Sequence, residues 1–161
     1  RKLVTPSRWD RFLKGEKNAL TDEEKKGFNL FVDTGCASCH MGPYVGGTMF
    51  QKLGLVKPWP NQKDLGRYEV TKNEADKMMF SVPSLRNVTK TGPWFHDASA
   101  QTIEQAVSMM AEHQLGKTLK PEEVKAIVAW LDTLTGSIPA EYIVEPTLPP
   151  STEKTPKPEA I

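Results

Sequence analysis

Apolar side chains recur along this chain at the three-to-four-residue spacing of amphipathic helices, and no stretch shows the two-residue alternation of a half-buried strand. Four helices follow from that pattern. The first lies in PSRWDRFLKG, where Pro6 suits an early helical position, Trp9, Phe12 and Leu13 share a face, and Gly15 can close the turn. The second lies in TDEEKKGFNLFVDTG. Thr21 and Glu24 form a capping box, acidic residues fill the first turn, and Phe28, Phe31 and Val32 make the apolar stripe. The third, QTIEQAVSMMAEHQLG, places Ile103, Val107 and Met110 on one face and Gln105, Glu112 and His113 elsewhere. The fourth, PEEVKAIVAWLDTLTG, starts at Pro121 and buries Val124, Ile127, Val128, Leu131 and Leu134, with Gly136 as its end.

The stretch from Met41 to Ser99 fits no helix and is rich in Gly and Pro. A connection this long in a compact domain implies that it wraps around something, and a large apolar cofactor would fill that role. After Glu145 the chain reads EPTLPPSTEKTPKPEAI, which predicts an extended or disordered arm. The expected organisation is a connecting segment with a short helix over 1–20, a helical domain over 21–144 and the arm over 145–161.

Composition narrows the function classes. A chain of 161 residues holds one domain with a real core and length to spare for arms. A net charge of +1 points to no polyanion partner, hence no nucleic acid, and no apolar run is long enough for a membrane span. The first residue is Arg1, so we expect a processed chain or part of a longer one.

Both cysteines fall within GCASCHMG, and C-x-x-C-H is the attachment signature of c-type haem. Cys36 and Cys39 are about one helical turn apart, so both sulfurs can bond one porphyrin edge while His40 projects its imidazole towards the iron. A zinc site would need two further ligands, and only His96 and His113 remain, without paired spacing. A thioredoxin-like pair needs a βαβ context that the chain lacks. One covalent haem c is therefore the expected cofactor.

For the iron's other face the thioethers are Met41, Met49, Met78, Met79, Met109 and Met110. Met41 directly follows His40 and stays on the proximal side, and Met109 falls on the polar side of its helix. Met110 shares the apolar face with Ile103 and Val107, a position that equally suits plain core packing. Residue chemistry leaves Met110, Met78, Met79, His96 and His113 open. A His/Met pair would saturate the iron and favour electron transfer. An open site would favour ligand binding or peroxide chemistry.

The order of motifs adds to this. GCASCHMGPYVGGTMFQKLGL, VPSLRNVTKTGPWFHDAS, TIEQAVSMMAEHQLG and the helix ending LDTLTGSIP together resemble the C-terminal, electron-transferring haem domain of bacterial dihaem cytochrome c peroxidases, from about Thr5 to Pro150. The resemblance implies an all-α cytochrome c-type fold with long irregular haem-wrapping loops, its terminal helices Asp22–Val32 and Glu122–Thr133 crossing beside the haem. It implies Cys36 and Cys39 as attachment points, His40 as proximal ligand and Met110 as distal ligand; relatives devoted to protein-cofactor maturation carry tyrosine at that last position. It also implies a calcium ion bound by the backbone carbonyls of Thr91 and Pro93, Arg86 near a haem propionate, and Trp94 near the ring or at a domain boundary. An ordinary Gly-Pro turn, a solvated arginine and simple core filling are the plainer readings of those residues. Ala98 departs from the glycine common after the family's His-Asp pair.

The implied partners are an N-terminal peroxidatic haem domain, on the same or another chain, and a small cytochrome c or cupredoxin donor in the bacterial periplasm; a homodimer is compatible. The family has two haems, whereas this chain has a single C-x-x-C-H. The expected function is electron entry for hydrogen peroxide reduction. A stand-alone monohaem electron carrier is the alternative, and an open-haem sensor or maturation enzyme is the third reading.

Overall fold

The computed structural model describes residues 6–157. Five α-helices, α1 (Arg8–Leu13), α2 (Asp22–Thr34), α3 (Tyr68–Thr71), α4 (Ile103–Leu115) and α5 (Pro121–Asp132), carry the fold. Two three-residue strands, β1 (Phe50–Lys52) and β2 (Met79–Ser81), pair antiparallel with Gln51 opposite Phe80. None of the described helices is long and apolar enough to cross a membrane.

Capping chemistry sets the helix starts. Thr21 caps α2, and Glu24 reaches back to the Thr21 N–H at 2.8 Å. Thr102 and Gln105 do the same for α4. At α1 the cap is Ser7, boxed with Asp10, so Pro6 stands before the cap and not inside the helix. α5 begins on Pro121 as expected but stops at Asp132, and Gly136 lies beyond it, its N–H donating to the Asn87 side chain.

The core forms where α2 crosses α5, joined by α1. Trp9, Phe31 and Trp130 pack with ring centroids 4.5 to 5.5 Å apart along the path Trp9–Trp130–Phe31, and Leu20, Val45, Ile127, Leu131 and Leu134 close around them. Trp9 thus belongs to the main core although it lies in the segment expected as a connector. The buried line of α2 is Glu24, Gly27, Phe31 and Thr34, so its contact face centres one residue away from the expected stripe and Val32 is exposed. Leu13 is likewise exposed. Gly27 explains the offset: a Cβ there would lie 1.9 Å from the Ala126 carbonyl oxygen of α5. The two helices meet backbone to backbone at that point, and Glu24 is tolerated beside it because Arg8 pairs with it.

Arg86 ties the loop before the domain's centre to α1. Its guanidinium donates to both carboxylate oxygens of Asp10 at 2.8 Å and to the Pro43 carbonyl. Burial alone would raise the Asp10 pKa, but hydrogen bonds from Arg86 and Ser7 outweigh it and bring it down to about 2. A carboxylate with a depressed folded-state pKa contributes stability above its unfolded pKa near 4 and loses it as pH falls towards 2. Asp10→Asn is therefore expected to remove about 1 kcal/mol of stability at neutral pH and to flatten the acid-side decline between pH 4 and 2. Urea titrations at stepped pH check this, and an unchanged acid slope would contradict it.

Residues 145–157 are exposed and contain neither helix nor strand, as the Pro-rich composition predicts.

Candidate haem-binding site

α2 ends at Gly35 in the left-handed conformation, φ 106°, and the chain turns directly into a tight 3₁₀ turn at Cys36–Ser38. The His40 N–H donates to the Cys36 carbonyl at 3.0 Å, and Ser38 Oγ donates to the Gly35 carbonyl at 2.6 Å. Lys117, just past α4, donates to the Thr34 carbonyl at the end of α2, where a cation suits the helix dipole. Cys36, Cys39 and His40 are thereby held on one wall of a cavity of about 590 Å³.

That volume lies in the range of small-molecule and cofactor sites. Its lining is mainly apolar: Phe31 from α2, Ile127 and Leu131 from α5, Phe80 from β2, Val82 and Leu85 from the loop that follows, and Ile103, Val107 and Met110 from α4. The face of α4 predicted to be apolar is therefore turned towards this space together with Ala106, while Ala111 and His113 are buried outside the lining. Trp94 also lines the cavity, its Nε1–H donating to the Val88 carbonyl at 2.9 Å.

The donor set suits a haem. Burial lowers the His40 pKa, opposed by the backbone of Val45 and Pro83, and Nδ1 is buried without a hydrogen-bond partner. A neutral imidazole keeps a lone pair for a metal. The space around it is reserved by Gly46, φ 121°, where a Cβ would lie 2.1 Å from the Pro83 carbonyl oxygen and 3.0 Å from His40 Nδ1. Burial pushes the Cys36 thiol up to about 11. A thiol so protonated is a poor redox nucleophile, which argues against the thioredoxin-like rival. Among the described residues no cluster of three or more His, Cys, Asp or Glu could hold a metal ion, which leaves zinc without a ligand set.

The other expected residues fall into place unevenly. His113 is buried, with Nδ1 3.1 and 3.0 Å from the Lys57 and Pro58 carbonyls, a structural role and not an iron-facing one. Met78 is buried outside the cavity lining. His96 lines the cavity, stacked on Phe80 with centroids 4.3 Å apart. Thr91 and Pro93 line its rim. Arg86 is absent from the lining, and its guanidinium donates to Asp10 and to the Pro43 carbonyl. Ala98 adopts φ 54°, a left-handed conformation that a glycine would hold without strain. Among the wall residues, Phe80, Val82 and Leu85 come from a short strand and a loop without a periodic signature, while Gln114 lies on α4 as a polar residue that helical periodicity does not assign to a lining.

An apolar cavity walled by α2, α4 and α5, with a C-x-x-C-H turn at one side and a methionine from another helix, defines a c-type haem domain. The cytochrome c family model matches residues 24–135, and the chain belongs to that family. Membership implies covalently bound haem c. The chain is 49% identical over 157 residues to the cytochrome c551 peroxidase of Nitrosomonas europaea, covering 96% of this chain and 46% of that protein. It is 44% identical over 163 residues to the cytochrome c551 peroxidase of Pseudomonas aeruginosa, covering 97% and 46%. Among solved structures, a MauG-like protein associated with microbial copper homeostasis is similar with a TM-score of 0.68 at 26% identity, over 83% of this chain and 53% of that one. The chain is thus a homologue of bacterial cytochrome c peroxidases and spans about half the length of the curated relatives it matches.

Proposed function

We propose that this chain is the electron-transferring haem domain of a bacterial dihaem cytochrome c peroxidase, corresponding to the C-terminal domain of that family. In this role it takes electrons from a small cytochrome c or cupredoxin in the periplasm and passes them to a peroxidatic haem on a second domain. The observation that carries the reading is that Cys36, Cys39, His40 and Met110 line one apolar cavity. The half-length match to peroxidases adds the second domain.

Haem c held there supplies reversible one-electron chemistry at its iron. The chain's residues set the terms. Cys36 and Cys39 fix the group by two bonds, and His40 is kept neutral by burial so that it can ligate. Met110 would fill the remaining iron position and keep substrate out, its soft thioether favouring the reduced state. The apolar wall of Phe31, Val107, Ile127 and Leu131 excludes water and so limits reorganisation around the charge.

Thr91 and Pro93 are exposed, and among the described residues neither carbonyl accepts a hydrogen bond, which leaves both oxygens available to a calcium ion at the boundary with the second domain. The position of Trp94 beside them fits the same boundary.

Because Met110 closes the iron, the haem-loaded chain alone is expected to be a poor peroxidase. Its intact mass should show one haem, and peroxide reduction with a reduced small cytochrome should stay far below the roughly 1–10³ s⁻¹ of working enzymes. Steady turnover in that range by the isolated chain would overturn the assignment to the electron-transferring role.

A further inference from the structure

The last turns of α4 are fastened to a distant segment in a way that the helix itself does not require. Gln114 lines the cavity one turn beyond Met110. Its Oε1 accepts the Gly54 N–H at 3.1 Å, and its Nε2 donates to the Lys52 carbonyl at 2.9 Å. One side-chain amide thus satisfies a donor and an acceptor where β1 ends. The neighbouring His113 extends the same attachment: its carbonyl accepts the N–H groups of Val56 and Lys57 at 3.1 and 3.0 Å, and its ring contacts the Lys57 and Pro58 carbonyls.

The segment held in this way carries Gln51, Lys52 and Leu53, which form part of the cavity wall. Met110 is unbranched with three rotatable bonds and a weakly binding thioether, so its own rotamer preferences fix it poorly. What holds such a ligand against competitors is the wall around it. A polar amide in a mainly apolar lining, with both ends used on the facing segment, is suited to keeping that wall closed.

We infer that Gln114 is a positioning residue for the sixth iron ligand: by clamping Lys52–Gly54 to α4 one turn beyond Met110, it sets how readily an outside ligand displaces the thioether. This rests on the reading of Met110 as ligand. The physical content is a population: displacement needs the wall open, and the apparent affinity of an incoming ligand scales with the open fraction.

The test uses ferric haem-loaded protein titrated with imidazole, following loss of the weak near-infrared band of sulfur-bound iron. Gln114→Ala should keep the band without imidazole yet bind imidazole about tenfold more tightly, since a hydrogen-bonded clamp of this kind is worth about that factor. Gln114→Glu keeps the acceptor for Gly54 but sets a carboxylate oxygen against the Lys52 carbonyl, so it too should bind imidazole more tightly than the unaltered protein. Arg8→Met, which removes the distant Arg8–Glu24 pair, should lower the melting temperature while leaving imidazole affinity within about twofold. Equal affinity in Gln114→Ala and the unaltered protein, or an equal shift in Arg8→Met, would overturn the inference. Should Gln114→Ala fail to accumulate as folded haem protein, Gln114→Glu decides by the same criterion. A native spectrum without the sulfur band, or a band that survives Met110→Ala, would instead refute the Met110 reading itself.

Discussion

Replacing Met110 with alanine will abolish the near-infrared sulfur band of the ferric haem protein and lower its reduction potential by on the order of 100 mV or more. The reasoning starts from the helix. Met110 lies on the face of α4 that also carries Ile103 and Val107, and all three line the cavity that contains His40. In the proposed assignment, truncation to alanine removes the soft thioether that would stabilise reduced iron and leaves that position to water or to an added ligand. The fold should survive, because Met110 is only half-buried and the core around Trp130 lies on other helices. A large potential shift with an almost unchanged melting temperature is the expected signature. Redox titration beside thermal unfolding checks both, and a retained band would show that the sulfur comes from elsewhere.

The second large effect is structural. Gly27→Ala is expected to destabilise the domain by about 3 kcal/mol or more, lowering the melting temperature by roughly 10 °C. The added methyl would sit 1.9 Å from the oxygen and 2.6 Å from the carbon of the Ala126 carbonyl, and 3.1 Å from the Cβ of Trp130. A backbone carbonyl cannot rotate out of the way as a side chain could, so α2 and α5 must separate. The consequence reaches the site, since α2 runs into the Cys36 turn and α5 supplies Ile127 and Leu131 to the cavity. Circular dichroism melting of the haem-loaded variant measures the loss. A change below about 1 kcal/mol would mean that the helices can part without cost.

The same position carries information that local sequence does not hold. On sequence grounds Gly27 is merely a poor helix former inside a good helix, and periodicity assigns the buried face to Phe28, Phe31 and Val32. The contact instead centres on Glu24, Gly27, Phe31 and Thr34, because the close backbone approach at Gly27 rotates the interface and Arg8 neutralises Glu24 from a different helix. Arg86 is a similar case. In the sequence it stands in a loop with every partner open, and only folding brings Asp10 of α1 beneath it. The β1–β2 pair also lay beyond periodicity, since three residues per strand are too few for alternation to show.

What the sequence determined by itself is local. The cap at Thr21, Pro121 at the first position of α5 and the apolar stripes of α4 and α5 specify helices, because capping and side-chain periodicity act within a few residues. The GCASCHMG turn specifies its chemistry for the same reason: two thiols and an imidazole within five positions need no other part of the chain to be recognised. Tertiary structure alone decided which residues face one another across the cavity, that Gln114 meets Lys52 and Gly54, and that Arg86 belongs to Asp10. Those pairings join segments tens of residues apart, and their energies exist only after the intervening chain has been ordered around them.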